Sequence, residues 1–109
     1  MAEPTLTEIF GAGATQDIDK LTIDKNNLVA IGLTASANNT AESLFAAIVA
    51  LAQGTLTATR QETHIEQSIV IEDNLESLTT RNDQLYRQLT KSISFDKLDN
   101  QSSFDPDDY

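Results

Sequence analysis

The chain has 109 residues and a mass of 11.9 kDa, with 7 Lys and Arg against 17 Asp and Glu, one His, no Cys and a formal charge of −10. That length gives one domain with a modest core, and a charge of this sign excludes a phosphate-backbone binder, which needs clustered Lys and Arg. The missing cysteines exclude a disulfide framework, a thiol nucleophile and a thiolate metal site.

Leu, Ile, Val and Phe supply 28 of the 109 residues, a share of about 26%, above the ~20% below which highly charged chains stay disordered. The chain is therefore expected to fold. Its longest apolar run, Leu44 to Ala52, falls far short of the ~20 residues of a membrane-spanning helix. The start, Met1-Ala2-Glu3-Pro4, is acidic and soon polar, so a secretory signal is not expected.

In chain order, Thr5-Leu6-Thr7-Glu8 is a capping-box pattern and Gly11 a stop, which predicts a short helix over Leu6 to Phe10. Gly11-Ala12-Gly13-Ala14 reads as a loop, because neither a dinucleotide fingerprint nor a P-loop surrounds it. Lys20 to Asp24 alternates polar and apolar residues, as a half-buried strand does. Asn26-Asn27 is turn-like. Leu28, Val29, Ile31 and Leu33 then suit a short strand or a helical turn equally, and Thr34 to Asn39 reads as a polar linker.

Asn39-x-x-Glu42 is a second capping box, directly before an apolar run, and predicts a helix from Thr40 to about Gln53, or to Thr59 if it continues past Gly54. Leu44, Phe45, Ile48, Leu51 and Ala52 fall on one side, while Ala46, Ala47, Val49 and Ala50 make the other side apolar as well. A helix apolar all round is normally buried on every face. Ile69-Val70-Ile71 has the composition of a buried strand. Thr79 to Gln84 reads as a turn or loop, and Leu85, Leu89, Ile93 and Phe95 share one parity, as in a second strand antiparallel to the first. Arg87 and Lys91 fall awkwardly on that apolar parity. The last stretch, Asp96 to Tyr109, carries five aspartates against Lys97 and reads as an extended acidic tail with Phe104 and Tyr109 as anchors.

Little of this sequence points to catalysis. His64, the one available imidazole base, has no nucleophile motif beside it and reads as a surface or boundary residue. The carboxylate groups Asp17-x-Asp19, Glu72-Asp73 and Asp105-x-Asp107-Asp108 lack the twelve-residue calcium loop and read as solvated surface. Arg60, Arg81, Arg87 and Lys91 are interleaved with acids, which favours salt bridges over a basic patch. The sequons Asn38-Asn39-Thr40 and Asn100-Gln101-Ser102 are taken as accidental without a signal segment. No catalytic, cofactor or metal site is expected.

What remains is an interaction signal. The second apolar face of the Ala-rich helix is covered either by a copy of the chain or another subunit, or within the chain by the N-terminal helix or the segment after Leu28. The expected interface residues are Phe45, Ile48, Val49 and Leu51 on the helix, with Phe104 and Tyr109 pinning the tail onto a neighbour. The expected fold is α+β: a domain over residues 1–95 with one central helix on a small, mostly antiparallel sheet, and the extended acidic tail over 96–109.

Several segments together resemble small uncharacterised proteins of tailed phages and prophages, including phages of cyanobacteria. They are Leu6-Thr7-Glu8-Ile9-Phe10-Gly11 with Ala14-Thr15-Gln16, Leu21-Thr22-Ile23-Asp24-Lys25, Asn38-Asn39-Thr40-Ala41-Glu42-Ser43-Leu44, and the closing Phe104-Asp105-Pro106-Asp107-Asp108-Tyr109. The resemblance implies a structural component of a virus particle: a tail, neck, fibre-attachment or capsid-decorating subunit. It would be a homo-oligomer in contact with other virion proteins, with neither nucleic acid nor membrane as partner. The competing expectation is a soluble acidic adaptor or inhibitor that occupies a basic partner's groove.

Overall fold

In the computed structural model, which describes residues 3–99 and 103–109, three threonines set the starts of three helices. Thr5 opens α1 (Leu6–Phe10) with the full capping box: its hydroxyl accepts from Glu8 N, and Glu8 Oε1 accepts from Thr5 N at 2.9 Å. Thr40 opens α3 (Ala41–Gln53) by accepting from Ser43 N, and Thr57 opens α4 (Ala58–Thr63) by accepting from Arg60 N. The cap of α3 is thus one residue later than the Asn39 pattern predicts. Asn39 closes the preceding loop instead: its Oδ1 accepts from Ser36 N and its Nδ2 donates to Thr34 O. Gly54 ends α3, and α4 begins as a separate helix rather than an extension of it.

Before α3, β1 (Thr15–Gln16) and β2 (Leu21–Thr22) form a two-residue antiparallel ladder, and α2 (Asn26–Val29) settles the Leu28 segment as a helical turn. Asp17 shapes the β1–β2 turn, its Oδ1 accepting from Asp19 N and Lys20 N. Gly11 has φ of 95°, and a Cβ there would lie 2.6 Å from the Asn27 side chain. The missing side chain lets Asn27 Nδ2 reach Ala12 O, which ties the loop after α1 to α2.

The second half of the chain is a long two-stranded ribbon. Strand β3 (Ile69–Asp73) pairs antiparallel with β6 (Lys91–Phe95), and β4 (Ser77–Arg81) pairs with β5 (Gln84–Gln88). The predicted turn over Thr79 to Gln84 is therefore mostly strand, and the turn itself is Asn82-Asp83, with φ of 52° and 60°. These values suit a two-residue hairpin whose twist matches its strands. Between the two ladders, Asn74, Leu75 and Glu76 stand opposite Leu89 and Thr90, so the register slips by one residue, as in a β-bulge. The slip resolves a conflict of parity: Ile69 and Ile71 are odd-numbered on their strand, yet the same strand presents even-numbered Leu78 beside Leu85 beyond the bulge.

Helix α3 is packed by α1, α2 and β3. The core runs through Ala52, Leu56 and Ile71, with Ile9, Val49 and Ile69 against it, and Ile71 N donates to Leu56 O. The architecture is mixed helix and small antiparallel ladders, in the α+β class; among the described residues α1 stands where the short N-terminal helix is expected, and α2, α4 and three separate two-stranded ladders stand where one central helix on one sheet is expected. At the end of the chain, residues 106–108 form a turn of 3-10 helix where an extended run is expected. Sequon residues Asn100, Gln101 and Ser102 lie outside the described residues. The Cα radius of gyration is 16.2 Å and the longest dimension 46 Å, whereas a compact domain of this length has a radius of about 13 Å.

Candidate functional site

The residues singled out for chemistry are occupied by local structure. His64, half-buried at the end of α4, places Nδ1 3.0 Å from both Thr63 Oγ1 and Arg60 O. Asp17 is committed to its turn, and Asp105 accepts from Asp107 N at the start of the 3-10 turn. Among the described residues there is no group of three or more His, Asp or Glu that could hold a metal ion, and no helix long and apolar enough to cross a membrane. The basic residues are spread out: Arg60 meets Glu8 at 3.3 Å, Arg87 meets Glu76 at 3.0 Å, and Lys91 meets Asp73 at 2.6 Å. Arg81 lies over the Tyr86 ring, 4.4 Å from its centroid.

The expected interface residues divide into three groups. Phe45 stands outside, 68% exposed on α3. Ile48 and Leu51 are half-buried, and half-buried Val49 packs on the core cluster. Phe104 and Tyr109 fold back on the chain's own Phe95, the three ring centroids lying 5.1 to 5.5 Å apart. Lys97 Nζ fixes the return by bonding Ser103 O and Asp108 Oδ2. The contact partner of both anchors among the described residues is therefore β6 of the same chain.

Two features that the sequence pattern does not single out stand at opposite ends of the ribbon. At the β3–β6 end an open groove of about 890 Å³ is lined by the carboxylates of Glu3, Glu66, Asp96 and Asp108, by Lys97, and by the apolar side chains of Ile65 and Leu98. Ile65 is 77% and Leu98 93% exposed. The floor of the groove is held by Gln67, 2% exposed and fully bonded: Nε2 donates to Thr57 O and Ile69 O, and Oε1 accepts from Arg60. Gln61 crosses from α4 to the same place, donating to Gln67 O and Asp96 Oδ2.

At the other end the β4–β5 arm projects with both faces open. Leu78, Thr80, Leu85 and Arg87 share one face, and Thr79, Arg81, Gln84 and Tyr86 the other. Leu78 and Leu85 are 58% and 69% exposed. A signal for this arm does exist in the sequence, since Asn-Asp is a two-residue turn pair, but the polar strand before it hides the hairpin. No protein-family model matches the chain, and no curated protein or solved structure is similar enough to it to carry a comparison.

Proposed function

We propose that this chain is a non-enzymatic assembly subunit of a tailed-phage particle, acting by contact with copies of itself and with other virion proteins. The observation that carries the reading is the balance of apolar side chains. Among the described residues, Leu28, Leu56, Val70 and Ile71 are the buried aliphatics larger than alanine, whereas Phe45, Leu75, Leu78, Leu85, Leu89 and Leu98 are each more than half exposed. The accessible surface is 8202 Å², against about 6000 Å² for a compact monomer of this mass. Apolar surface in that excess is stabilised by removal from water, and in a particle a neighbouring subunit removes it. The resemblance in the N-terminal, helix-start and C-terminal segments supplies the phage context.

The test is quantitative mass spectrometry of particles purified from the phage that encodes the chain. A fixed copy number per particle, in a multiple set by the particle's symmetry, is the expected result. Absence from particles together with recovery on a basic partner protein would replace this reading by that of an acidic adaptor.

A further inference from the structure

We infer that residues 103–109 are a latch: in the free chain they close over Phe95 at the end of β6 and withhold its ring, and their release lets copies associate. The inference rests on the assembly reading and supplies its control. The segment is a small module with structure of its own. Asp105 Oδ1 accepts from Asp107 N, Asp105 O from Asp108 N, and Pro106 O from Tyr109 N. The turn brings Phe104 and Tyr109 together, their centroids 5.5 Å apart and their planes 28° from parallel. These contacts lie wholly within the segment, so it can leave the body and return as a unit.

Two residues of the body hold the module down. The Phe95 ring meets Phe104 edge-on at 5.1 Å and Tyr109 at 5.4 Å, geometries that the aromatic quadrupole favours. Lys97 Nζ donates to Ser103 O at 2.8 Å and to Asp108 Oδ2 at 3.0 Å. The Lys97 side chain is only 19% exposed, so this ion pair is less screened by water than a fully exposed one. The seat is nevertheless shallow, because Phe104 remains 61% exposed when docked. No residue of the segment belongs to a strand ladder or to the core cluster. It can therefore open without unfolding the ribbon or the core, as the least stable parts of a structure do.

Opening changes what the chain presents. Phe95, Phe104 and Tyr109 are half of its four Phe and two Tyr, and each shields the others while the latch is closed. Aromatic side chains are the ones that interface cores favour. Release also takes Asp108 from the wall of the groove and leaves Lys97 there beside exposed Leu98. In the free chain the occupant of the Phe95 site is thus the chain's own tail, and a neighbour has to displace it. A tethered segment competes at an effective concentration of roughly millimolar. Dilute copies therefore stay capped, and the rings become available where copies are crowded together, as in a growing particle.

The experiment uses the full chain with Lys97→Glu, with Asp108→Lys, and with both changes together. Each single reversal sets like charges across the latch, and the double variant restores an opposite pair. The two singles shift the net charge in opposite directions, so an effect they share belongs to the latch. Chymotrypsin cleavage after Phe95 and Phe104 reads the opening, sedimentation velocity over a range of concentrations reads association, and far-UV circular dichroism checks that each variant is folded. Both singles are expected to be cut at these sites, and to associate, roughly tenfold more readily than the unaltered chain, because like charges in contact are unfavourable. The double variant should return to the unaltered behaviour. Cleavage unchanged in both singles, faster cleavage without stronger association, or a double variant that stays open overturns the inference. None of these results touches the copy number in particles, on which the assembly reading stands.

Discussion

Gln67 shows how one polar side chain can stand in for a larger core. It bridges the start of α4, the start of β3 and Arg60, which in turn reaches Glu8 on α1. Replacing it by Leu keeps the volume but removes the side-chain bonds to Thr57 O, which keeps its bond from Gln61 N, and to Ile69 O, and takes the acceptor from an Arg60 guanidinium N–H. Leaving buried groups unpaired costs more than a hydrogen bond contributes. The expected loss for Gln67→Leu is about 3 kcal/mol in urea unfolding. Glu8 makes a second prediction. Its pKa is held below the ordinary carboxylate value by the Thr5 N–H first, then the Thr5 hydroxyl, with Arg60 adding to both. That of Asp73 is lowered by the hydrogen bond from Lys91 first, then by Gln53 and the Lys91 charge. A carboxyl with a lowered folded pKa contributes stability above its unfolded value and loses it as pH falls through the folded one. The advantage of the unaltered chain over Glu8→Gln or Asp73→Asn should therefore be full near neutral pH and vanish on acidification below about 4. Urea midpoints measured across pH test this, and a gap that persists in acid would contradict it.

At the scale of elements, the arm is the weak part. A two-stranded hairpin alone is marginal in water, and this one has exposed side chains along both strands. Its turn places two non-glycine residues at positive φ. Asp83→Gly removes the cost at the second of them and should strengthen the arm by about 0.5–1 kcal/mol. Slower amide exchange confined to residues 77–88 is the expected sign; faster exchange would mean the turn is of another type. Which elements could be read from sequence follows from how local their causes are. The cap of α1 is complete within Thr5 to Glu8, and Ile69 to Ile71 announces β3 by composition, so both are legible. The ribbon is not, because Leu78 and Ile71 reach compatible faces only through the bulge. Lys91 and Arg87 look misplaced until their partners Asp73 and Glu76 are seen across the strands. Helix α4 has no apolar stripe to announce it; Thr57 and Gln67 hold it. The groove is illegible for the same reason, since its wall joins Glu3, Glu66, Asp96 and Asp108 from four separate parts of the chain.

At the scale of the molecule, the proposed assembly would make folding stability depend on neighbours, because the core is small and the surface large. Association that buries native surface stabilises the folded state by mass action. The apparent melting temperature should thus rise by about 5 °C or more over a hundredfold range of concentration. A melting temperature independent of concentration would mark a self-sufficient monomer.

The chain has two tyrosines and no tryptophan. Tyr86 lies on the arm under Arg81, and Tyr109 lies against Phe95 and Phe104 at the groove end. With no indole to mask them, the two phenols are separate optical labels at the two poles of the molecule. Tyr86→Phe leaves near-ultraviolet absorption and emission reporting the C-terminal pole alone, and Tyr109→Phe leaves the arm. The protein carries its own pair of probes, and each end can be watched without adding a dye.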